Sequence, residues 1–588
     1  MAVSSTVRGG QGPVVSGSPY FADLSEHPPE TYRPDIDEVL GQLQANKDSW
    51  VRLGMDERLS LLEEVRQDFI SVSDRWVAAE LEAKRIAPQT LGEAEEWAML
   101  ATVHRALRTL RQSLTEVEAL GQPKVPGPIS SRPNGQVVAQ TFPLSVWDRF
   151  LFLGTTGEVW MEPGVGVDEM VATQAAAYKD ANREGRVCLV LGAGNASMLP
   201  VTDALDKLFV ELQVVVLKPN PVNAHLGPLI EEGFRVLIER GFLAVVYGGA
   251  KEGAYLTSHP DVDDLHLTGS DKTFEAVVFG PGSEGAKRKA ERRPLIAKRF
   301  TGELGNVSPV IVVPGPWTQR DIDEQAKHIA TWLGINAGFN CLTPRVLIQH
   351  SSWTQRNPLM DAVGGLLEQV PPRYAYYPGA HDRHAEYLAA HPEARLFGTA
   401  EEGQLPWALI PDVNPEDAND ICFRREAFCG LFAETALDAP STASFIERAV
   451  EFANQTLWGT LCATIIVHPK SMRDPNIAAA VDQAISDLRY GTVSLNMLVY
   501  FSAYFMGSPW GGITGHDIYD VQSGIGKATN MLMFERPQKS ILRAPFRRLD
   551  PLTVKSKRAA EFAQKLAAFE ARPSWSKLPS LVWTALRA

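Results

Sequence analysis

Cysteine is scarce in this sequence: five in 588 residues, an odd number at no repeated spacing. That excludes a disulfide scaffold and fits a reducing, cytoplasmic compartment. No Cys and His pairing of the zinc type occurs, so no metal site is expected. A surplus of positive charge is missing too. Lys and Arg number 57 against 70 Asp and Glu, a net charge of −13, which excludes a general binder of nucleic acid or anionic membranes. Residues 1–34, rich in Ser, Gly and Pro, lack the apolar core of an export signal and read as a flexible N-terminal arm. Gly491–Gly515 contains no Asp, Glu, Lys or Arg, yet Asn496 and the breaker Pro509-Trp510-Gly511-Gly512 leave its uninterrupted apolar part too short to span a bilayer. It is expected to be a buried wall. What remains is ordinary globular text, 45% hydrophobic and 22% charged, and long enough for two or more domains.

Residues 35–125 are helical in pattern. Leu62, Val65, Phe69, Val72 and Trp76 form one apolar stripe, with Glu63, Glu64, Arg66 and Asp68 on the wet side. Packing without chemistry is the reading for that segment. Residues 126–165 turn to Gly, Pro and Ser with short alternating runs such as Gln136–Gln140, a hairpin pattern. Strands and helices then alternate: Arg186–Leu191 ends at a Gly-rich turn, Met198–Leu212 reads as a helix, Gln213–Lys218 as a buried strand, Leu229–Arg240 as a helix, and Phe242–Gly249 and Val262–Ser270 as further strands. The alternation resumes beyond Gly302, with Asn306–Val313 and Arg345–His350 as strands around a helix at Asp321–Leu333, and a later strand at Cys462–Pro469. Short apolar runs between amphipathic helices predict an α/β protein with parallel sheets covered on both faces. Such sheets bind ligands beyond the carboxyl ends of their strands, so a dinucleotide is the default ligand. Lys287–Arg299 holds seven basic residues and one acid with no aromatics, a solvated connector rather than a nucleic-acid patch. Thr553–Phe569 reads as an amphipathic helix packed on the body.

Single motifs carry little. Gly192-Ala193-Gly194 follows a strand, but Ser197 stands where a dinucleotide fingerprint has its third glycine. Cys188 lies in an apolar strand and reads as core; Cys422 and Cys429 flank Glu426 and read as packing rather than a redox pair. His381, His384 and His391, among Arg, Glu and Pro, read as a surface loop. Trp458 and the aromatic run Tyr500–Phe505 are either core or the lining of a substrate tunnel.

The order of the motifs between Arg186 and Gly526 resembles the aldehyde dehydrogenase superfamily, in a divergent and long-chain form. Phe300-Thr-Gly-Glu-Leu-Gly-Asn-Val-Ser-Pro309 is similar to the family's Leu-Glu-Leu-Gly-Gly-Lys-Ser-Pro block and implies a general base at Glu303. Ala337-Gly-Phe-Asn-Cys341 is similar to its Gly-Gln-x-Cys segment and implies a nucleophile at Cys341. Asn195, in Ala193-Gly194-Asn195, matches the oxyanion asparagine, although the family's Pro-Trp before it is absent. Lys218, ending Val216-Leu-Lys, resembles the lysine that reaches the adenosine ribose; Gly269 and Ser270, in Leu267-Thr-Gly-Ser, resemble the turn beside the pyrophosphate. Glu426 and Phe428 look like the Glu-x-Phe pair at the nicotinamide ribose, and Pro509-Trp-Gly-Gly512 like the late Pro-Phe-Gly-Gly turn. The family's second Gly and its Lys after the glutamate are Asn306 and Val307 here, and Cys429 follows Phe428.

The resemblance implies a Rossmann-like cofactor domain (166–302, with helical part 35–125), an α/β catalytic domain (303–515) and a β bridging element. The bridging hairpin is expected near Gly135–Gly157, paired with a late strand near Phe534–Arg543 in a returning segment 516–588, and a homodimer or homotetramer follows by the same analogy. It implies NAD(P)-dependent oxidation of an aldehyde to a carboxylic acid through a cysteine thiohemiacetal and thioester. Pro221 stands three residues after Lys218, where NAD-preferring members often carry an acid, so a 2′-phosphate meets no like charge there and NADP is expected to be accepted alongside NAD. Two alternatives stay open: a CoA-acylating relative, against which Glu303 argues, and a catalytically silent scaffold of the same fold.

Overall fold

A computed structural model describes residues 27–588 of the chain. Residues 1–26 of the expected arm lie outside the described residues, and the rest of it is docked rather than loose. Thr31 donates its N–H to the Tyr247 carbonyl and accepts the Tyr247 N–H through Oγ1, at 3.0 and 2.9 Å, and helix Arg33–Arg52 begins immediately after.

Helices Arg33–Arg52, Met55–Ala83 and Leu91–Leu120 occupy the helical segment. Thr90 caps the third with its hydroxyl, and Gly121, at φ 79°, ends it in the left-handed conformation that favours glycine. The stripe Leu62, Val65, Phe69, Val72 and Trp76 is buried, in one core with Val187–Val190 and Val214–Leu217. Those apolar runs are central strands of a six-stranded sheet, ordered 524–525, 299–303, 264–268, 187–191, 214–218, 243–245. All neighbours are parallel except Gly524–Ile525, which runs antiparallel to Gly302–Glu303. From strand 187–191 the chain builds outward through 214–218 and 243–245, then returns to build the other side from 264–268. The strand order therefore reverses between 187–191 and 264–268, which leaves a crevice at their carboxyl ends.

The second sheet has eleven strands. Its parallel body includes Ser308–Val312, Pro344–His350, Leu431–Leu437 and Cys462–Ile466, covered by helices such as Gln319–Gly334 and Thr442–Gln455. The hairpin strands Val137–Phe142 and Thr156–Met161 pair antiparallel, and Pro537–Arg543 joins 156–161 on one side and Thr492–Leu495 on the other. Helix Ala559–Ala571 packs along Leu91–Leu120. There Arg105, buried, bonds Asp148 of the hairpin segment at 2.7 Å and Glu570 of the last helix pair at 2.9 Å, so one guanidinium ties three distant segments together.

Several elements differ from expectation. The helix expected over Met198–Leu212 is α-helical only over Leu199–Leu205 and widens into a π-type turn at Asp206–Val210; that expected over Leu229–Arg240 breaks at Phe234. The histidines expected on a surface loop lie on or just after helix Ala380–Ala390, with His384 and His391 buried. His391 has a carboxylate on each nitrogen, Glu393 at 2.9 Å and Asp420 at 3.1 Å, and Asp420 also caps helix Ile421–Arg424. Asp420 and Cys422 bring an oxygen and a sulfur within 4.8 Å of a ring nitrogen, but the imidazole is already satisfied as a carboxylate-bound pair. The uncharged stretch 491–515 is a buried strand, a short helix Tyr500–Phe505 and a turn; no described helix is long and apolar enough to cross a membrane.

Candidate active site

Cys341 is the only one of the five cysteines that is not buried. It follows helix Gln319–Gly334 through a turn in which Asn336, Ala337 and Gly338 all have positive φ, at 52°, 53° and 77°. Two non-glycine residues in that region cost roughly 1–3 kcal/mol each, and the turn persists because it is held from every side. Asn336 donates its N–H to Glu95 at 2.9 Å and its Nδ2 to the Asn195 carbonyl at 2.6 Å, and accepts the Tyr376 hydroxyl at 2.8 Å. Arg345, buried, donates to the Gly338 carbonyl at 2.7 Å and to the Cys429 carbonyl at 2.7 Å.

Glu303 ends strand Arg299–Glu303 and is buried. Its carboxylate accepts from the Cys341 thiol and from Trp510, the aromatic of the late turn, while Oε1 has no partner among the described residues. Burial pushes its pKa up to about 8; Asp203 and Glu426 add to the rise, and the two hydrogen bonds oppose it. Burial, then the two carboxylates Glu303 and Glu426, hold the Cys341 thiol well above its ordinary range. Both groups are thus pushed towards their neutral forms rather than into a resting ion pair.

Asn195, the third residue of the expected set, follows strand Val187–Leu191. Its Nδ2 donates to the Phe339 carbonyl at 2.8 Å, and its own carbonyl accepts both the Asn336 amide and the Tyr376 hydroxyl, the latter at 2.8 Å. Asn195, Glu303 and Cys341 line one cavity. Met99, Met198, Leu199, Leu342 and Met506 make most of its wall apolar, and among the described lining residues there is no Lys, Arg or His. Of the aromatic candidates, Tyr500 lines it, its hydroxyl 2.9 Å from Thr102; Phe505 is core, stacked on Phe142, and Trp458 lies outside the wall, against Gly305.

The residues matched to a cofactor stand at the carboxyl ends of the parallel strands. Lys218 ends strand Val214–Lys218, and Gly269 and Ser270 follow Asp264–Thr268, with Ser270 capping helix Asp271–Phe279. Gly269 donates its N–H to the Glu303 carbonyl at 3.0 Å, tying the turn to the base. A helix N-terminus suits a pyrophosphate, and Lys218 ends the second strand over. At Gly194 an added Cβ would lie 2.8 Å from the Asn220 side chain and would displace it. Glu426 leans over Gly305, where a Cβ would lie 2.2 Å from its Oε2, and its buried Oε1 has no partner among the described residues, an acceptor left over for a ribose hydroxyl. Burial raises Glu426 to about 7. Phe428 sits at φ 44° against Tyr377 and Phe339, with its carbonyl held by Arg383 at 3.1 Å. These groups fit a nicotinamide dinucleotide. One sequence argument is corrected: although Pro221 is no acid, Glu252 and Glu30 act on Lys218 and favour its charge, against burial that draws it down to about 8. The neighbourhood of Lys218 is not free of carboxylates.

Asp203, Thr268, Tyr376 and Trp510 belong to the site without having been given a role from the sequence. Thr268 and Trp510 stand in motifs that were read; nothing in the text marks Asp203 or Tyr376.

Residues 187–366 match the model of the aldehyde dehydrogenase family. An aldehyde dehydrogenase of Davidiella tassiana is 26% identical over 306 residues, 49% of this chain and 52% of that protein. The curated relatives matched are covered over only 26% and 52% of their own lengths. Two solved structures share the fold. Glyceraldehyde-3-phosphate dehydrogenase of Methanocaldococcus jannaschii, complexed with NADP, superposes with TM-score 0.59 at 13% identity, covering 90% of this chain and 98% of that one. Aldehyde dehydrogenase C of Pseudomonas syringae, in a mutant form with NAD+ and octanal, does so with TM-score 0.59 at 16% identity, covering 89% and 91%. The family match covers residues 187–366 of 588, and the wider likeness is one of fold.

Proposed function

We propose that the protein oxidises an aldehyde to a carboxylic acid with NAD or NADP. The observation that supports it is the convergence of Asn195, Glu303 and Cys341, from three distant stretches, on one cavity at the carboxyl edge of a parallel sheet.

An aldehyde carbon cannot give up hydride until a nucleophile makes it tetrahedral, and a thiolate is the best such nucleophile near neutrality. Glu303 takes the Cys341 proton as sulfur bonds to the carbonyl carbon. The electron pair of the C=O bond moves to oxygen, where the Asn195 amide and the Cys341 backbone N–H are the donors. When bound, the nicotinamide ring supplies the hydride acceptor that turns this adduct into a thioester, and Lys218, Gly269, Ser270, Glu426 and Phe428 would hold the dinucleotide. Having released the thiol's proton to cavity water, Glu303 takes a proton from a second water, whose oxygen attacks the thioester; the C–S bond breaks, sulfur takes the remaining proton from the new acid, and the carboxylate leaves. A carboxylate brought to about 8 suits this work, because a base is most effective when its pKa lies near the operating pH.

Pro221 supports acceptance of NADP, whereas Glu252 and Glu30 oppose a second phosphate near Lys218. The exposed edge strand Ile129–Ser131 of the hairpin is the place where copies of the chain would meet in a homo-oligomer.

The test is a panel of aldehydes with NAD and NADP, with and without CoA, reading reduced cofactor and the acid formed. The expected result is CoA-independent acid, lost in Cys341→Ala. Strict dependence on CoA would replace the hydrolytic reading with acyl transfer; no reduced cofactor under any condition would leave a silent member of the fold.

A further inference from the structure

Glu303 must pass on each proton it collects, and it is buried. The sheet face beside it is polar in a way that packing does not require. Thr268 pairs in register with Glu303, and His266 with Thr301, on neighbouring parallel strands, so all four side chains share one face. Helix Leu199–Leu205 lays Asp203 against that face: Thr268 Oγ1 donates to Asp203 Oδ2 at 2.7 Å. Asp203, Thr268 and Glu303 line the same cavity as Cys341.

On the far side of Asp203 stands His266, its Nδ1 2.9 Å from Thr301 Oγ1 and its Nε2 3.7 Å from Asp203 Oδ1.

We propose that Asp203, reached through Thr268 and backed by His266, receives the proton that Glu303 abstracts during thioester hydrolysis. The inference rests on the reading of Glu303 as the base. The transfer balances: Glu303 gives its proton to Thr268 Oγ1, directly or across a cavity water, as Thr268 releases its own to Asp203 Oδ2. The protonated carboxyl returns the proton to cavity water when product leaves. Asp203 touches no reacting atom and acts as a relay. The charged groups facing it or its partners are Glu303 at the cavity and Lys207, Asp206 and Glu211 behind it and His266; burial and Lys207 hold His266 below its ordinary range against the pull of Asp203, so the ring is neutral near neutral pH.

The experiment compares wild type with Asp203→Asn, Asp203→Glu and Thr268→Val. Rapid mixing with an accepted aldehyde reads the first turnover against the steady state, and breakdown of the acyl-enzyme from a p-nitrophenyl ester reads deacylation without cofactor. In Asp203→Asn and Thr268→Val, steady-state turnover and deacylation are expected to fall on the order of tenfold, part of the ~10²–10⁴ supplied by general base catalysis. The first turnover should fall much less. The solvent isotope effect should grow, the pH profile of deacylation should shift, and Asp203→Glu should recover most of the rate. Unchanged deacylation with an unchanged pH profile in both disruptive variants would overturn the relay. An equal loss in both phases, with no shift in pH profile, would also overturn it, reducing Asp203 to a tie between helix and sheet. If the wild type itself forms neither reduced cofactor nor acyl-enzyme, the failure belongs to the underlying reading instead.

Discussion

The Asn195 side-chain amide donates to the Phe339 carbonyl at 2.8 Å, two residues before Cys341, so the donor proposed for the oxyanion is positioned by the same loop that carries the proposed nucleophile. Tyr376 secures this from behind, its hydroxyl bonding both the Asn195 carbonyl and Asn336 Oδ1 at 2.8 Å. Asn195→Ala should lower kcat by about 10²–10³, as loss of one oxyanion donor does, with a smaller change in KM. Tyr376→Phe should lower kcat several-fold with KM held. Steady-state kinetics on both variants checks this; equal loss in kcat and gain in KM would place the effect in ground-state binding.

Glu303 should govern both rate and stability as pH changes. Its pKa is raised from about 4.5 to about 8 in the fold, so the base form, and with it alkylation of Cys341 by iodoacetamide, should increase as pH rises through about 8. That step should vanish in Glu303→Gln. A raised carboxylate pKa contributes stability that is complete below about 4.5 and lost as pH rises through about 8, at a cost on the order of a few kcal/mol. Glu303→Gln should therefore melt higher than wild type at pH 9, with the advantage gone at pH 4. Thermal melts at the two pH values read this directly.

Substrate choice should follow the wall. The cavity is largely apolar, has no cation among its described lining residues, and carries the carboxyl groups of Asp203 and Glu303. Neutral aliphatic or aryl aldehydes should be turned over with kcat/KM at least ~100-fold above aldehydes that bear a second carboxylate, because a buried negative charge without a partner costs several kcal/mol. Competing kinetics with octanal, phenylacetaldehyde and succinic semialdehyde tests it. Comparable values for the acidic substrate would require a cation reaching the cavity from elsewhere.

Lys84 is buried between Glu80 at 2.5 Å and Glu96 at 2.9 Å, below Tyr376. Its removal leaves two carboxylates facing each other; Glu96 is already pushed up to about 8 by burial, with Glu80 adding to the rise. Lys84→Met should cost about 3–5 kcal/mol in denaturant unfolding, and Lys84→Met with Glu80→Gln should recover part of it. A single variant as stable as wild type would mean that the cluster carries no net charge.

The fold class and the three residues that converge on the cavity were legible because each sits in a local motif whose shape follows from nearby residues. Phe300–Pro309 passes from one strand to another, and Ala337–Cys341 is a turn after a helix; short-range text encodes both. Asp203 was not legible, since its meaning comes from Thr268, 65 residues away, and from a strand register that no local pattern specifies. Tyr376 is further removed still, acting on Asn195 across 181 residues. His391 was misjudged for the same reason: its carboxylates are Glu393, two positions on, and Asp420, 29 positions away. The Lys218 argument looked three residues ahead to Pro221, while the acids that matter come from a neighbouring helix and from the N-terminal segment.

Met99 and Thr102, in the wall of the chamber, belong to the same helix whose Arg105 is gripped by Glu570 near the end of the chain. The tail is thus a buttress for the substrate's surroundings. Shortening it before residue 559 would release that grip and loosen one side of the reaction vessel, so that selectivity among aldehydes would suffer before the chemistry at sulfur did.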